Sequence, residues 1–136
     1  MKHKFGTLFR EEFFGAPYRL GGQSKDRGFD CISLVFTYYK KLEKNFPDLW
    51  DLYPLYKSKP KKALKTMWKR IFKATDDVPL GQVQVGDLII FEHHEFGNYP
   101  GICLGNGVVG VVFTDRGVIT LRYEALKVLY IRRCKD

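Results

Sequence analysis

Cys31 is the residue of this chain best placed to do covalent chemistry. It follows Asp30 and opens the run CISLVFTYYKKL, whose apolar side chains predict a buried helix that begins at residue 31. Asp30 is a good N-cap for that helix. The free amides and the dipole of a helix N-terminus stabilise a thiolate, which is the reactive form of cysteine. A cysteine ahead of an apolar helix is also common in ordinary cores, so its position alone leaves a nucleophile and a packed thiol both open.

A cysteine nucleophile needs a neighbouring base, and histidine commonly supplies it. The chain has three histidines, His3, His93 and His94. Its three cysteines are far apart in sequence, and an odd number of widely spaced cysteines argues against a disulfide framework. The sequence contains no CxxC and no HExxH pattern, so we expect neither a zinc site nor another cofactor.

The elements that would position these groups divide the chain into two halves. Residues 4–14 and 31–42 have helical spacing of apolar side chains, with a glycine-bearing loop between them. From residue 78 onward the pattern predicts short strands between glycine-rich turns, with 93–100 as a loop. Helices followed by antiparallel strands predict an α+β fold in which the helices pack on one sheet. The length predicts a single domain, 1–136.

The segment 47–78 differs from the rest of the chain in its aromatic and basic content. Residues 47–57, PDLWDLYPLYK, are aromatic and irregular, and a helix with apolar residues at helical spacing follows them. The net charge of +8 favours anionic partners, which include nucleic acid, anionic cell-wall polymers and a membrane surface. Charge alone does not choose among them. Much of the excess lies on one face of the helix, at Lys59, Lys61, Lys62, Lys65, Lys69, Arg70 and Lys73.

Two blocks of this sequence resemble the cysteine peptidases of the NlpC/P60 family. The first, GAPYRLGGQSKDRGFDCISLVFTYY, resembles the family's nucleophile segment. The second consists of VQVGDLIIFE and PGICLGNG, which resemble the family's GDLVFF and HVGIYLGNG strands. The matching residues of the first block are Gly15, Pro17, Tyr18, Gly21, Gly22, Phe29, Asp30, Cys31, Leu34 and Val35. Those of the second are Gly86, Asp87, Leu88, Phe91, Gly101, Ile102, Leu104, Gly105, Asn106 and Gly107.

The resemblance implies a papain-like NlpC/P60 fold, in which N-terminal helices pack on an antiparallel sheet or half-barrel and 47–78 is an insertion. It also implies cleavage of peptide bonds in bacterial peptidoglycan, of the D-glutamyl endopeptidase type. In that chemistry Cys31 would attack the carbonyl carbon, a histidine would take its proton, and a third polar residue would orient the histidine. Tyr18 matches the family tyrosine that lies close to the nucleophile.

The chain departs from the family pattern at both residues that would assist Cys31. Tyr99 replaces the histidine that opens the HVGIYLGNG strand, and a phenol is a poor base near neutral pH. The stretch 109–112, where the third polar residue is expected, is apolar. The nearest substitutes for the base are His93 and His94. We therefore expect a degenerate cysteine peptidase, in which His93 or His94 would be the base if activity remains.

Two functions of different kinds follow from these observations. One is a tail-tip, hub or tail-assembly protein of a bacteriophage or phage-like particle, since small NlpC/P60 members occur in such particles. Such a protein would contact other tail proteins. The other is an active endopeptidase that acts on peptidoglycan stem peptides. A nucleic-acid-binding module is a weaker alternative, since no base-reading motif accompanies the basic helix. The sequence predicts neither a signal peptide nor a transmembrane segment, so we expect synthesis in the bacterial cytoplasm and incorporation into a virion.

Overall fold

Residues 2–135 form a six-stranded antiparallel sheet with four α-helices, which confirms the predicted α+β class. The computed structural model describes residues 2–135, with side chains from residue 4 onward. No helix within 2–135 combines the length and the apolar character needed to cross a bilayer. The helices are α1 (Lys2–Glu12), α2 (Cys31–Lys41), α3 (Tyr53–Ser58) and α4 (Pro60–Ala74). The strands are β1 (Thr75–Val78), β2 (Leu88–His93), β3 (Gly97–Gly105), β4 (Val108–Phe113), β5 (Gly117–Arg122) and β6 (Val128–Cys134), in the sheet order β1-β6-β2-β3-β4-β5.

Helix α2 is the central element, as its nearly continuous apolar run predicts. It packs on β3 and β4, and its apolar side chains are buried almost all around the helix. The two tyrosines in its last turns are fully buried, and the hydroxyl of each donates a hydrogen bond to a backbone carbonyl. Tyr38 donates to the carbonyl of Phe5 at 2.9 Å, and Tyr39 donates to the carbonyl of Gly86 at 2.8 Å. These hydrogen bonds tie α2 to α1 on one side and to the start of β2 on the other.

The hairpin of β2 and β3 corrects the prediction that residues 93–100 form a loop. Only three residues separate the two strands, and Tyr99 lies within β3, directly opposite Phe91. Gly97, with φ of 73°, turns the chain into β3 directly opposite His93. Because Tyr99 is paired in the sheet, the position of its side chain is set by strand register and not by a mobile loop.

The edge strand β1 was not predicted from the sequence. Its residues, TDDV, pair with β6, and the two aspartates face solvent between a buried threonine and a buried valine. The guanidinium of Arg132 holds the junction of α4 and β1, since it donates to the carbonyls of Phe72 and Thr75, each at 2.7 Å. Charged residues on an edge strand discourage pairing with other chains, and they also hide the strand from hydropathy analysis. The basic helix is thus anchored to the sheet at its C-terminal end.

Candidate active site around Cys31

The carboxylate of Asp30 organises the segment that carries Cys31. Its Oδ1 accepts from the amides of Ile32 at 2.7 Å and Ser33 at 2.8 Å, which confirms Asp30 as the N-cap of α2. Its Oδ2 accepts from the amide of Gly21 at 2.6 Å, and the Tyr53 hydroxyl donates to both oxygens at 2.8–2.9 Å. Asp30 is 2% exposed, so these four donors replace water around a buried charge. Cys31 is therefore fixed at the first position of the helix.

The loop before Asp30 brings Tyr18 beside Cys31. It folds back on itself, so that Tyr18 bridges Phe29 and the chain crosses itself at Gly22 and Gly28. A Cβ at Gly22 would collide with the carbonyl of Gly28, and Gly28 itself has a φ of +111°. Only glycine allows this close crossing at residues 22 and 28.

The thiol of Cys31 is half-buried and opens into a cavity of only about 10 Å³. A cavity of that size holds at most one water molecule. Three tyrosines share it with Cys31: Tyr18 from the loop, Tyr56 from α3 and Tyr99 from β3. Its remaining wall includes three side chains of α4, namely Leu64, Met67 and Trp68.

The environment of Cys31 keeps the thiol protonated at neutral pH. Burial raises the pKa of the Cys31 thiol far above its ordinary value, and the nearby charge of Asp30 raises it further. The amides of Cys31 and Ile32 at the helix N-terminus and the Tyr99 hydroxyl act in the opposite direction, but they do not outweigh burial. The helix N-terminus therefore does not by itself make Cys31 a nucleophile here.

Tyr99 lies against Cys31, at the place where the resemblance puts the catalytic histidine. The Tyr99 hydroxyl donates a short hydrogen bond to the carbonyl of Val112 on β4. Burial and the neighbouring Cys31 raise the pKa of Tyr99 well above that of a free phenol. The Tyr99 hydroxyl therefore stays protonated near neutral pH, and a protonated phenol cannot serve as the base that removes the proton of Cys31. A backbone carbonyl thus occupies the role expected of a third polar residue within 109–112.

The structure does not bring His93 or His94 to Cys31. The ring of His93 stacks on the ring of Tyr99, with 4.6 Å between centroids, and its Nδ1 accepts from the amide of Glu95 at 3.1 Å. The side chain of His94 is 82% exposed and lies 3.3 Å from the Glu95 carboxylate. None of the imidazoles within residues 4–135 lines the Cys31 cavity. Burial and the charge of His94 lower the pKa of His93.

Sequence reasoning missed the contribution of the segment 47–78 to this site. Tyr53 binds the Asp30 carboxylate, while Tyr56 and Trp68 close the cavity in front of Cys31. The helical spacing of apolar residues in α4 predicted a buried face, but it carried no information about what that face covers. Within residues 4–135 no group of three His, Cys, Asp or Glu side chains could hold a metal ion. The chemistry available here is that of the thiol and the tyrosines.

Truncating the wall of the cavity on α4 is expected to expose Cys31. Because Cys31 faces a cavity too small to admit the reagent, its thiol reacts mainly when the structure opens locally. Each loss of about 1.4 kcal/mol from the closed form raises the open population about tenfold. Trp68→Ala should therefore speed alkylation of Cys31 by iodoacetamide at least about tenfold. Peptide mass spectrometry measures the rate, with the other two cysteines as references in the same digest.

The matched control for that prediction is Phe72→Ala. Phe72 is also a half-buried aromatic of α4, but its ring contacts Arg132 and Tyr130 and does not line the cavity. Equal acceleration in both variants would mean general loosening of the fold and would contradict the assignment of Trp68 as a cover for Cys31.

Comparison with known proteins identifies the family of this chain. The model of the NlpC/P60 family matches residues 15–123, which is most of the sequence. The chain belongs to the NlpC/P60 family. Its relative "Probable endopeptidase YafL" of Escherichia coli (strain K12) is 31% identical over 100 residues, which are 71% of this chain and 34% of that protein. This NlpC/P60 chain therefore spans about a third of the length of that relative and shares its cysteine-peptidase type of scaffold.

Solved structures of NlpC/P60 proteins share the fold. An NlpC/P60 family protein from Bacillus cereus ATCC 10987 superposes with a TM-score of 0.70 at 21% identity, over 100% of this chain and 41% of that one. A lipoprotein-like NLP/P60 family protein from Staphylococcus aureus subsp. aureus Mu50 gives a TM-score of 0.60 at 20% identity, over 96% of this chain and 40% of that one. The predicted NlpC/P60 architecture is thereby confirmed.

Proposed function

We propose that this NlpC/P60 chain is a catalytically silent scaffold that serves as a tail-tip, hub or tail-assembly component of a bacteriophage or phage-like particle. The observation that carries the catalytic part of the proposal is the contact of Cys31 with Tyr99. A cysteine peptidase needs a group that accepts the thiol proton, and Tyr99, whose own proton is donated to Val112, lacks the basicity to do so. Without that transfer Cys31 remains a thiol, which is a weak nucleophile.

The size of the Cys31 cavity also supports a silent site. Sites for small molecules usually have volumes of about 300–1,000 Å³, whereas the cavity at Cys31 has about 10 Å³. A stem peptide would have to displace α4 to reach the thiol. Met67 at the wall of the cavity is 1% exposed, and the same helix is tied to the sheet through Arg132. Displacement of α4 would therefore break buried packing as well as hydrogen bonds.

A silent scaffold leaves the outer surface as the working part of the molecule. The segment 47–78 covers the side of the fold that carries Cys31. Its own side chains form the solvent-exposed surface there, as expected for a segment that contacts neighbouring proteins. Small members of this family in phage tails provide the precedent for such a use. The chain would then act through its shape and surface, as a fixed part of an assembly.

The catalytic part of the proposal is tested on peptidoglycan. Purified protein incubated with peptidoglycan and with isolated stem peptides should release no fragments beyond those released by Cys31→Ala, as measured by liquid chromatography and mass spectrometry. Release that depends on Cys31 would overturn the silent-site proposal. In that case His93→Ala and His94→Ala would identify the base.

The assembly part is tested separately on particles. Purified tailed particles from the bacterium that encodes the chain should contain it at a fixed ratio to the other tail proteins, as measured by quantitative mass spectrometry. Its absence from the particles would exclude the tail role and would leave the result on catalysis unaffected.

An active endopeptidase is the second candidate, and the retention of Asp30, Cys31 and Tyr18 together favours it. The relative named as a probable endopeptidase has the same family scaffold. Activity would require α4 to move and a base to replace Tyr99. The peptidoglycan experiment decides between the two candidates, because only this one predicts fragments that disappear in Cys31→Ala.

A further inference from the structure

Five lysines form a positive strip that winds along the solvent side of α4. Four of them recur at every fourth residue, which places their Cα atoms about 6 Å apart along the helix axis. All five side chains are exposed, and the buried residues Ala63, Met67 and Ile71 lie on the opposite side of the helix. The strip, called the lysine stripe below, consists of Lys61, Lys62, Lys65, Lys69 and Lys73.

The lysine stripe has no acidic partner among residues 4–135, in contrast to the arginine of the same helix. Arg70 makes a two-point ion pair with Asp51, at 2.7 and 2.8 Å. None of the ion pairs formed by residues 4–135 includes a stripe lysine. The positive charge of the stripe is therefore uncompensated within the described part of the chain.

The stripe opposes the stability of the helix that carries it. Lysines at i and i+4 repel one another, and Lys61 and Lys62 lie in the first turn, where the helix dipole disfavours positive charge. The first turn has no acidic residue and no side-chain cap. A helix of this composition is held in place by its buried face and by Arg132, and a bound polyanion would relieve the repulsion along its outer face.

Packing fixes the stripe as a rigid array and limits what it can bind. The apolar face of α4 is buried against the protein, so it cannot insert into a bilayer as an amphipathic surface helix does. The aromatic residues beside the stripe are also engaged. Trp68 closes the Cys31 cavity, and Phe72 is covered by Arg132 on its face and Tyr130 at its edge. Both aromatic side chains of α4 are thus engaged within the protein, which disfavours the base stacking on which single-stranded nucleic acid binding depends.

The spacing of the stripe lysines matches the spacing of phosphates in a poly(glycerol phosphate) chain. Six single bonds separate neighbouring phosphorus atoms in poly(glycerol phosphate), twice the three bonds of a peptide residue, so the extended repeat is about 7 Å. That repeat is close to the rise of about 6 Å between stripe lysines. We propose that the lysine stripe binds an anionic cell-wall polymer of the poly(glycerol phosphate) type. This inference goes beyond the proposed function, because it does not depend on whether Cys31 is catalytic or the chain is part of a particle.

The test measures binding of a fluorescent poly(glycerol phosphate) chain to the purified protein by anisotropy as salt is varied. Five phosphate contacts to a flexible chain predict a slope of log K against log salt of about −3.5. The triple variant Lys61→Gln, Lys65→Gln, Lys69→Gln leaves two phosphate contacts. The slope of log K against log salt should therefore become shallower, at about −1.4, and the affinity should decrease at least about tenfold. Substituting arginine at the same three positions should preserve both values, which separates charge from folding.

The matched control removes three exposed lysines elsewhere, with Lys4→Gln, Lys25→Gln and Lys40→Gln. An equal loss of affinity in that variant would mean attraction by net charge alone and would overturn the proposal. Undiminished binding by the stripe variant would overturn it too. A single-stranded DNA oligonucleotide of equal charge, or vesicles of anionic lipid, bound as tightly as poly(glycerol phosphate) would overturn the assignment of the partner.

Discussion

Tyr99→His is expected to convert Cys31 from a thiol into a thiolate at neutral pH. An imidazole at this position can accept the thiol proton, and the resulting imidazolium stabilises the thiolate beside it. The Val112 carbonyl, which now accepts from Tyr99, can accept from the second ring nitrogen and orient the imidazole. The pKa of Cys31, now raised by burial, should fall below neutral pH, as it does in cysteines paired with histidine.

Thiolate ultraviolet absorbance, followed between about pH 5 and 9, measures this change because tyrosines ionise only near pH 10. Tyr99→Phe is the matched control, since it removes the hydroxyl without adding a base and should leave Cys31 protonated over that range. The extra thiolate signal should vanish when Cys31→Ala is added to Tyr99→His. A Tyr99→His protein whose absorbance follows that of Tyr99→Phe would show that position 99 does not govern the proton of Cys31.

Asp30→Ala is expected to cause the largest loss of stability among single substitutions at the site. The change removes the N-cap of α2, worth about 1 kcal/mol. It also leaves the partly buried donors of Gly21 and Tyr53 without an acceptor, at about 1–3 kcal/mol each. Together these effects predict a decrease of about 3–7 kcal/mol in the free energy of unfolding, measured by urea denaturation.

Two smaller changes at the same cluster give the comparison. Asp30→Asn keeps one acceptor oxygen and should cost about 1–2 kcal/mol, and Tyr53→Phe removes a single donor and should cost about 1 kcal/mol. Asp30→Asn should also lower the pKa of Cys31, because the Asp30 charge now raises it. If Asp30→Ala were no more destabilising than Tyr53→Phe, the carboxylate would not be the centre of the cluster.

The sequence was most informative where the conformation depends only on residues close together in the chain. The N-cap at Asp30 and the apolar run of α2 follow from helix physics that operates within a few residues. The family resemblance fixed the fold and located Cys31, Tyr18 and Tyr99, and the structure brings these three side chains to one cavity. The sequence did not predict strand β1 or the strand residues within 93–100. In both segments pairing with another strand decides the conformation, and the local residues, TDDV and HHEFGNYP, are polar or irregular.

The sequence by itself determined that Cys31 opens a capped helix, that tyrosine stands in the histidine position, and that α4 has a basic face opposite an apolar one. Only the tertiary structure decided that Tyr99 donates a hydrogen bond to Val112, that His93 stacks on Tyr99, and that the apolar face of α4 closes the cavity over Cys31. The physical reason is distance along the chain. Periodicity reports which face of a helix is buried, whereas the partner of that face lies more than thirty residues away and is set by the packing of the whole domain.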